Sequence, residues 1–287
     1  IRDSNVAIGP PGTGKSFTIA ALAIDAISRG ESVLIASNNQ QAVEVIAQKL
    51  EQDFKLDHPP IKTTDKKWKA QVKEYLQDIL HGIGLERAQP AELARLTKVL
   101  RRYLQEIRQQ EAIIRQRIQK EQKWGRLLAK RIPSFWDKWK IPRLLRRAKG
   151  MDPLWILYWD LIDQLHLKNE ILQKSQKESR RFELEKVLRR DRKELQYFLK
   201  ALRAQRGSLK EQRFDLVNFR TLFKALPVWL VTMEEVHQIL PLGKGMFDLV
   251  LFDEATQCNI ASALPVLQRG KRAVVVGDPK QLRHISF

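Results

Sequence analysis

Cysteine is nearly missing from this chain of 287 residues: Cys258 is the one thiol. A disulfide framework and a cysteine-based metal site within one chain are thereby excluded, and a reducing, cytoplasmic setting fits. Histidine is sparse too. His58, His81, His166, His237 and His284 are scattered without HExxH or a similar spacing, so no zinc site is expected. No run of 18 apolar residues occurs, and no segment is expected to span a bilayer. No signal peptide precedes the first motif, and the initiator methionine is missing, so the natural N-terminus is expected elsewhere. What remains is a globular composition: 43% of residues are hydrophobic, and the length suits one large domain or two ordinary ones.

Positive charge is abundant and unevenly spread. The net charge is +19. Residues 61–220 hold 40 of the 52 Lys and Arg but 20 of the 33 Asp and Glu, so the excess sits in the middle. Trp68, Trp124, Trp136, Trp139, Trp155 and Trp159 lie there as well, leaving one tryptophan for the rest of the chain. The ends and the middle are compositionally different objects.

The ends alternate between apolar runs and helical spacing. Strands are expected at 5–8, 32–36, 228–232, 249–253 and 273–277, with helices at 15–28, 40–50 and 260–267. Apolar strands alternating with helices predict an α/β domain with a parallel sheet covered on both faces. In the middle, Leu93, Leu96, Leu100, Tyr103, Ile107 and Ile114 follow a three-four spacing. A second run carries Leu184, Leu188, Leu195, Leu202 and Leu209. The spacing predicts two long helices packed on each other as an antiparallel, coiled-coil-like arm. Pro133, Pro142, Gly150 and Pro153 are read as helix breaks that put the arm's tip near 131–160. Residues 61–220 are therefore taken as one helical insertion in an α/β domain formed by 1–60 and 221–287.

Three motifs carry chemistry. Gly9-Pro10-Pro11-Gly12-Thr13-Gly14-Lys15-Ser16 fits GxxxxGK[ST], with a strand before it and a helix after it. Such a loop brings backbone N–H groups and a helix N-terminus against phosphate oxygens. Lys15 is expected on the β- and γ-phosphates, and Ser16 on Mg²⁺. The apolar run Leu249–Phe252 then delivers Asp253 to the end of a strand, where a P-loop needs a carboxylate for Mg²⁺. Glu254 is the candidate for polarising the attacking water. Gln257 follows at contact range of the γ-phosphate or its water. Alone, that stretch also fits a helix N-terminus with capping acids. Last, a strand ends in Gly277-Asp278-Pro279-Lys280-Gln281. The turn is ordinary chemistry by itself. Beside the other motifs, Gly277, Asp278 and Gln281 are placed at the nucleotide.

The series GPPGTGKS, DEATQ and GDPKQL, each at a strand end, resembles motifs I, II and III of superfamily 1 helicases. The DEATQ form is similar to the branch that includes the nonsense-mediated-decay helicase and its DNA-acting relatives. That branch often carries a helical insertion in its first RecA-like domain. The resemblance covers 1–60 and about 226–287; the insertion matches in kind only. It implies a RecA-like ATPase in which Lys15 and Ser16 bind phosphate and Mg²⁺, Asp253 binds Mg²⁺, Glu254 holds the water, and Gln257 with Gln281 senses the γ-phosphate. Asn38-Asn39-Gln40-Gln41-Ala42-Val43 resembles the motif that touches the nucleic-acid backbone, with Asn39 or Gln40 as the contact. Thr232, ending the strand before DEATQ, implies a further contact.

Departures from the pattern are equally specific. The upstream glutamine that reads adenine is missing, as are the second RecA-like domain and its arginines. The expectation is one wall of an ATP cleft: the first motor domain of a helicase or translocase, needing ATP, Mg²⁺, single-stranded DNA or RNA, and a second RecA-like domain of the same longer protein. The alternative is a nucleotide-gated module that grips nucleic acid or protein without unwinding. A structural-maintenance ATPase is disfavoured, since no LSGGQ-like segment occurs. The basic, tryptophan-bearing tip is expected to meet nucleic acid or a protein partner, and no membrane.

Overall fold

Val33–Ser37, Val228–Thr232 and Phe247–Phe252 are buried almost throughout, as strands covered on both faces must be. A computed structural model of the chain describes residues 3–8, 14–56, 58, 60–64, 67–83, 86–129, 134–204, 212–255 and 258–277. Its six strands are β1 (Asp3–Ile8), β2 (Val33–Ser37), β3 (Ile61–Lys62), β4 (Val228–Thr232), β5 (Phe247–Phe252) and β6 (Gly270–Gly277). They form one sheet in the order β1-β6-β5-β2-β4-β3, and every pair is parallel. This is the α/β P-loop architecture expected of a RecA-like domain with a helical insertion.

The period of two along each strand sorts its side chains between two cores. Val33, Ile35, Val228, Leu230, Leu249, Leu251 and Val276 face one of them. There they meet Ile19, Ala20, Ala23 and Ile24 of α1 (Lys15–Ser28) and Val43, Ile46 and Ala47 of α2 (Gln40–Gln48). A π-helical turn, Lys49–Asp53, extends α2. Leu34, Ala36, Trp229, Val231, Val250, Phe252 and Ala273 face the other core. It is covered by α3 (Trp68–His81), the end of α6 (Leu154–Arg190), α7 (Arg192–Arg203) and α8 (Phe219–Ala225). The short α9 (Val236–Ile239) and then α10 (Ile260–Gln268) follow in the chain and add Val236 and Val266. Trp229 anchors this side against Phe198, Phe223 and Phe247, and its indole N–H donates to Leu226 O at 2.8 Å. Truncating such a residue to alanine costs about 3–5 kcal/mol.

The chain divides into two compact units, Ile1–Pro90 with Ser175–Phe287, and Ala91–Lys174. Both divisions fall inside 61–220. Residues 61–90 and 175–204 supply β3, α3, the end of α6 and α7 to the sheet unit. Arg180 shows why: its buried guanidinium donates to the carbonyls of Lys224 and Ala225 and to Tyr75 Oη. The second apolar run consequently has another partner than the sequence suggests. Leu184, Leu195 and Leu202 are buried in the sheet unit's core, with Leu188 packed on it. Asp191 interrupts that run between α6 and α7. Three-four spacing marks an apolar helix face without saying whether a helix or a sheet covers it. Leu209 lies outside the described residues.

The second unit holds most of α4 (Pro90–Leu128), all of α5 (Phe135–Lys149) and the first part of α6. Ile107 and Ile114 of α4 pack with Leu161 of α6, flanked by Ile118, Leu157 and Leu165. Among the described residues, α4 therefore pairs with 157–165 of α6. Pro142 does not break a helix as expected: α5 runs through it, started by a capping box in which Ser134 and Asp137 bond reciprocally. Gly150 caps α5, and Pro153 directly precedes α6. Pro133 lies outside the described residues.

Candidate functional site

Parallel strands end on one edge, and α/β proteins bind ligands outside that edge. The registers place Ile8 beside Gly277, Phe252 beside both Ala36 and Val275, and Ser37 beside Thr232. The end of β1, the residues that leave β5, the start of α2 and the end of β4 thus lie at the same edge of the sheet.

Gly14 starts α1. Its φ of 78° lies in the left-handed region, which a glycine enters without steric penalty. The helix begins at Lys15, with the Thr18 N–H donating to Gly14 O at 2.9 Å. The first N–H groups of any helix lack partners within it and point out of its end. α1 is pinned by its buried face, so this end is held at the carboxyl edge. Ser16 is half-buried in the first turn.

Asp253 leaves β5 with its N–H donating to Ala36 O at 3.0 Å. Its Oδ1 accepts from the Glu254 N–H, also at 3.0 Å. The residue is 3% exposed. Burial pushes its carboxyl above the usual range; the Glu254 N–H opposes that, the Glu254 charge adds to it, and the Lys15 charge opposes it. Lys15 and Asp253, 238 positions apart in sequence, are thus close enough to feel each other. Glu254 takes a φ of 52°, uncommon for a residue with a Cβ. Its Oε2 is buried and has no hydrogen-bond partner among the described residues. A lone buried carboxylate oxygen is costly and marks where a further group belongs.

Sequence reasoning missed Cys258. Its Sγ lies 3.4 Å from Glu254 O. Burial, with the Glu254 and Asp253 charges, pushes the thiol up to about 11. The position beside DEATQ is visible in the sequence, but the shared burial is not.

At β2's end, Ser37 is buried and its Oγ accepts from the Asn39 N–H at 3.2 Å. Asn39 Oδ1 accepts from the Gln41 N–H at 2.8 Å and caps α2. Gln40 Nε2 donates to Thr64 O at 3.0 Å. Both expected contacts thus have structural partners; asparagine directly before a helical run was the available sign of a cap. Thr232 is half-buried, and its carbonyl accepts from the Glu235 N–H. The structure thereby gathers Gly14, Lys15, Ser16, Asp253 and Glu254, with Gly277 one strand over and Asn39, Gln40 and Thr232 on the neighbouring strand ends. Gly9, Pro10, Pro11, Gly12, Thr13, Gln257, Asp278 and Gln281 lie outside the described residues. Among the described residues there is no His, Cys, Asp and Glu cluster suited to a metal and no helix long and apolar enough to cross a membrane.

The profile of the family described as AAA domain matches residues 2–285. An uncharacterized ATP-dependent helicase of Mycoplasma pneumoniae, the MG140 homolog, is 37% identical over 70 residues, covering 24% of this chain and 6% of that protein. The uncharacterized ATP-dependent helicase MG140 of Mycoplasma genitalium is 36% identical over 70 residues, with the same coverage of 24% and 6%. Helicase SEN1 of Saccharomyces cerevisiae is 45% identical over 47 residues, 16% of this chain and 2% of that protein. The matched stretches are thus a small part of each relative's length.

Proposed function

Because the chain belongs to the AAA-domain family of superfamily 1 helicases, we propose that it is the first motor domain of an ATP-dependent nucleic-acid helicase or translocase. The supporting observation is the convergence of Lys15 with the buried Asp253 and the half-buried Glu254, whose Oε2 is itself shielded, at the carboxyl edge. In this reading ATP lies on Gly9–Ser16, with Lys15 on its outer phosphates. Ser16 and Asp253 would hold Mg²⁺, Asp253 through water. The fit is chemical: a desolvated carboxylate prefers to be neutral or next to a cation. When bound, the metal neutralises charge on the transferred phosphoryl group.

Glu254 is the general base. Its Oε2, buried without a donor among the described residues, accepts a proton from the attacking water. Gln257 and Gln281 sense the γ-phosphate, with Gly277 and Asp278 at the same turn. Asn39, Gln40 and Thr232 lie toward a single strand of DNA or RNA, where the Asn39 and Gln40 side chains must exchange their present partners or act through backbone. Rapid turnover requires a second RecA-like domain of the longer protein, because transfer needs more positive charge on the developing oxyanions than this wall supplies. A reducing compartment such as the cytoplasm is part of the same reading.

The test is Glu254→Gln in the longer protein. Binding of a fluorescent ATP analogue is expected to stay within about twofold. Turnover is expected to fall at least about a hundredfold, the usual worth of a general base. Turnover that survives the change would remove Glu254 from this role. Unwinding of a tailed duplex separates the motor from a nucleotide-gated grip.

A further inference from the structure

The second unit exposes aromatic side chains that its own core does not use. On α5, Trp136 is 65% and Trp139 is 55% exposed, beside exposed Phe135. On α6, Trp155 is 61% and Trp159 is 59% exposed. Trp155, Tyr158, Trp159 and Ile162 recur at three- and four-residue spacing and share one face of α6, whereas Leu157, Leu161 and Leu165 pack inward with α4. Four exposed indoles within 24 residues of sequence exceed what a solvated surface carries by chance.

The exposed charge on α5 has one sign, whereas Trp155 and Trp159 of α6 are flanked by the exposed acids Asp152, Asp160 and Asp163, so the cations of this surface are those of α5. α5 carries Lys138, Lys140, Arg143, Arg146, Arg147 and Lys149, all exposed. Its one acid, Asp137, is buried and committed to the capping box with Ser134. The Arg143 guanidinium lies 3.6 Å from the centre of the Trp139 ring. That pair is a flat, cationic platform already assembled.

We propose that this surface, the aromatic residues of α5 and of the first turns of α6 with the α5 cations, is a binding site for single-stranded nucleic acid, separate from the strand-end contacts at Asn39, Gln40 and Thr232. Flat faces for stacking combined with repeated anions are what its side chains complement, and an unpaired nucleic-acid strand presents both. A membrane surface would need one wide apolar face, but α5 exposes polar and charged residues on nearly every side. The choice of a nucleic acid over an acidic protein rests on the motor reading above. Bases stack on Trp136, Trp139, Trp155 and Trp159. Phosphates meet Arg143, Arg146 and Arg147.

The experiment uses the 287-residue chain and two labelled probes, oligo-dT and oligo-U of about 20 nucleotides, followed by fluorescence anisotropy from 50 to 200 mM salt. Trp136, Trp139, Trp155 and Trp159 are changed together to alanine in one variant; in the other, Arg143, Arg146 and Arg147 become glutamine. All seven are exposed, and unchanged thermal unfolding checks that both variants fold. The tryptophan variant is expected to bind the preferred probe at least tenfold more weakly. The arginine variant is expected to flatten the salt dependence by about two in log–log slope, at about 0.7 per lost contact. Unchanged affinity in the tryptophan variant overturns the site. So does binding of the chain to phosphatidylserine vesicles but to neither oligonucleotide. Binding of a fluorescent ATP analogue with Mg²⁺ is read on the same proteins and is expected to be equal in all three. Its absence from the unmodified chain counts against the motor reading alone, because the oligonucleotide result is measured without nucleotide.

Discussion

Cys258 reports on the electrostatics of its neighbours. An ordinary thiol value is 9.0, and here burial with the Glu254 and Asp253 charges raises it to about 11. The sign follows directly: the folded protein holds the proton to higher pH, so thiolate becomes scarcer than in the unfolded chain. At pH 8 the ionised fraction falls from roughly one in ten to about one in a thousand. Alkylation by iodoacetamide is therefore expected to be about a hundredfold slower in the folded chain than in urea. Its rate should still climb beyond pH 10. A plateau near pH 9 would show that neither burial nor the two carboxylate charges raise this thiol. Asp253 and Glu254 were legible in the sequence because an apolar run ending in two acids has few uses beside a P-loop. Their effect on Cys258 was not legible, since it depends on the partial burial of the thiol and on the left-handed backbone at Glu254.

Arg269 governs how the elements around β6 are joined. It is buried, and its guanidinium donates to Pro241 O at 3.0 Å, Pro265 O at 2.6 Å and Leu240 O at 2.7 Å. One planar fork thereby ties the chain after α9, the end of α10 and the entry to β6. Burial alone lowers its pKa, so the charge is held by carbonyl dipoles. Lysine cannot span three acceptors with that geometry. Arg269→Lys is expected to cost about 3 kcal/mol, since bonds to a charged donor are lost and buried carbonyls are left bare. Urea unfolding with an unchanged slope reads that loss as a lowered midpoint. A midpoint within experimental scatter of the unmodified chain would show that the three bonds are dispensable. At this scale the apolar strands were the most legible part, and α1 runs over the residues its spacing predicts. The partner of 184–202 was illegible, because helix-on-helix and helix-on-sheet packing ask for the same spacing. Pro142 misled for another reason: a proline inside a helix removes one hydrogen bond and can be carried where the flanking turns are well capped.

Across the whole molecule, the strands of the two chain ends depend on each other. β1 pairs with β6, β2 with β4 and β5, and β3 with β4. Among the described residues, no pairing joins two of the three N-terminal strands, and those before 90 form no sheet of their own. That interleaving followed from the strand-end motifs at both ends, whereas the place where the insertion leaves the sheet unit did not, because α4 and α6 carry helical spacing on both sides of it. The Gln89 N–H donates to Glu178 at 3.2 Å, so the sheet unit closes beside its own break. The second unit is needed neither for pairing nor for either of the two cores that cover the sheet. Replacing 91–174 with about 12 glycine and serine residues, a linker reaching roughly 20 Å, therefore leaves both ends within reach. This shortened chain is expected to unfold in one cooperative transition and to bind Mg²⁺·ATP within a few-fold of the original. Residues 1–90 alone are expected to show no cooperative transition in circular dichroism, having lost every strand partner. Cooperative unfolding of that fragment, or collapse of the shortened chain, would mean that the interleaved sheet is not what holds the nucleotide site in place.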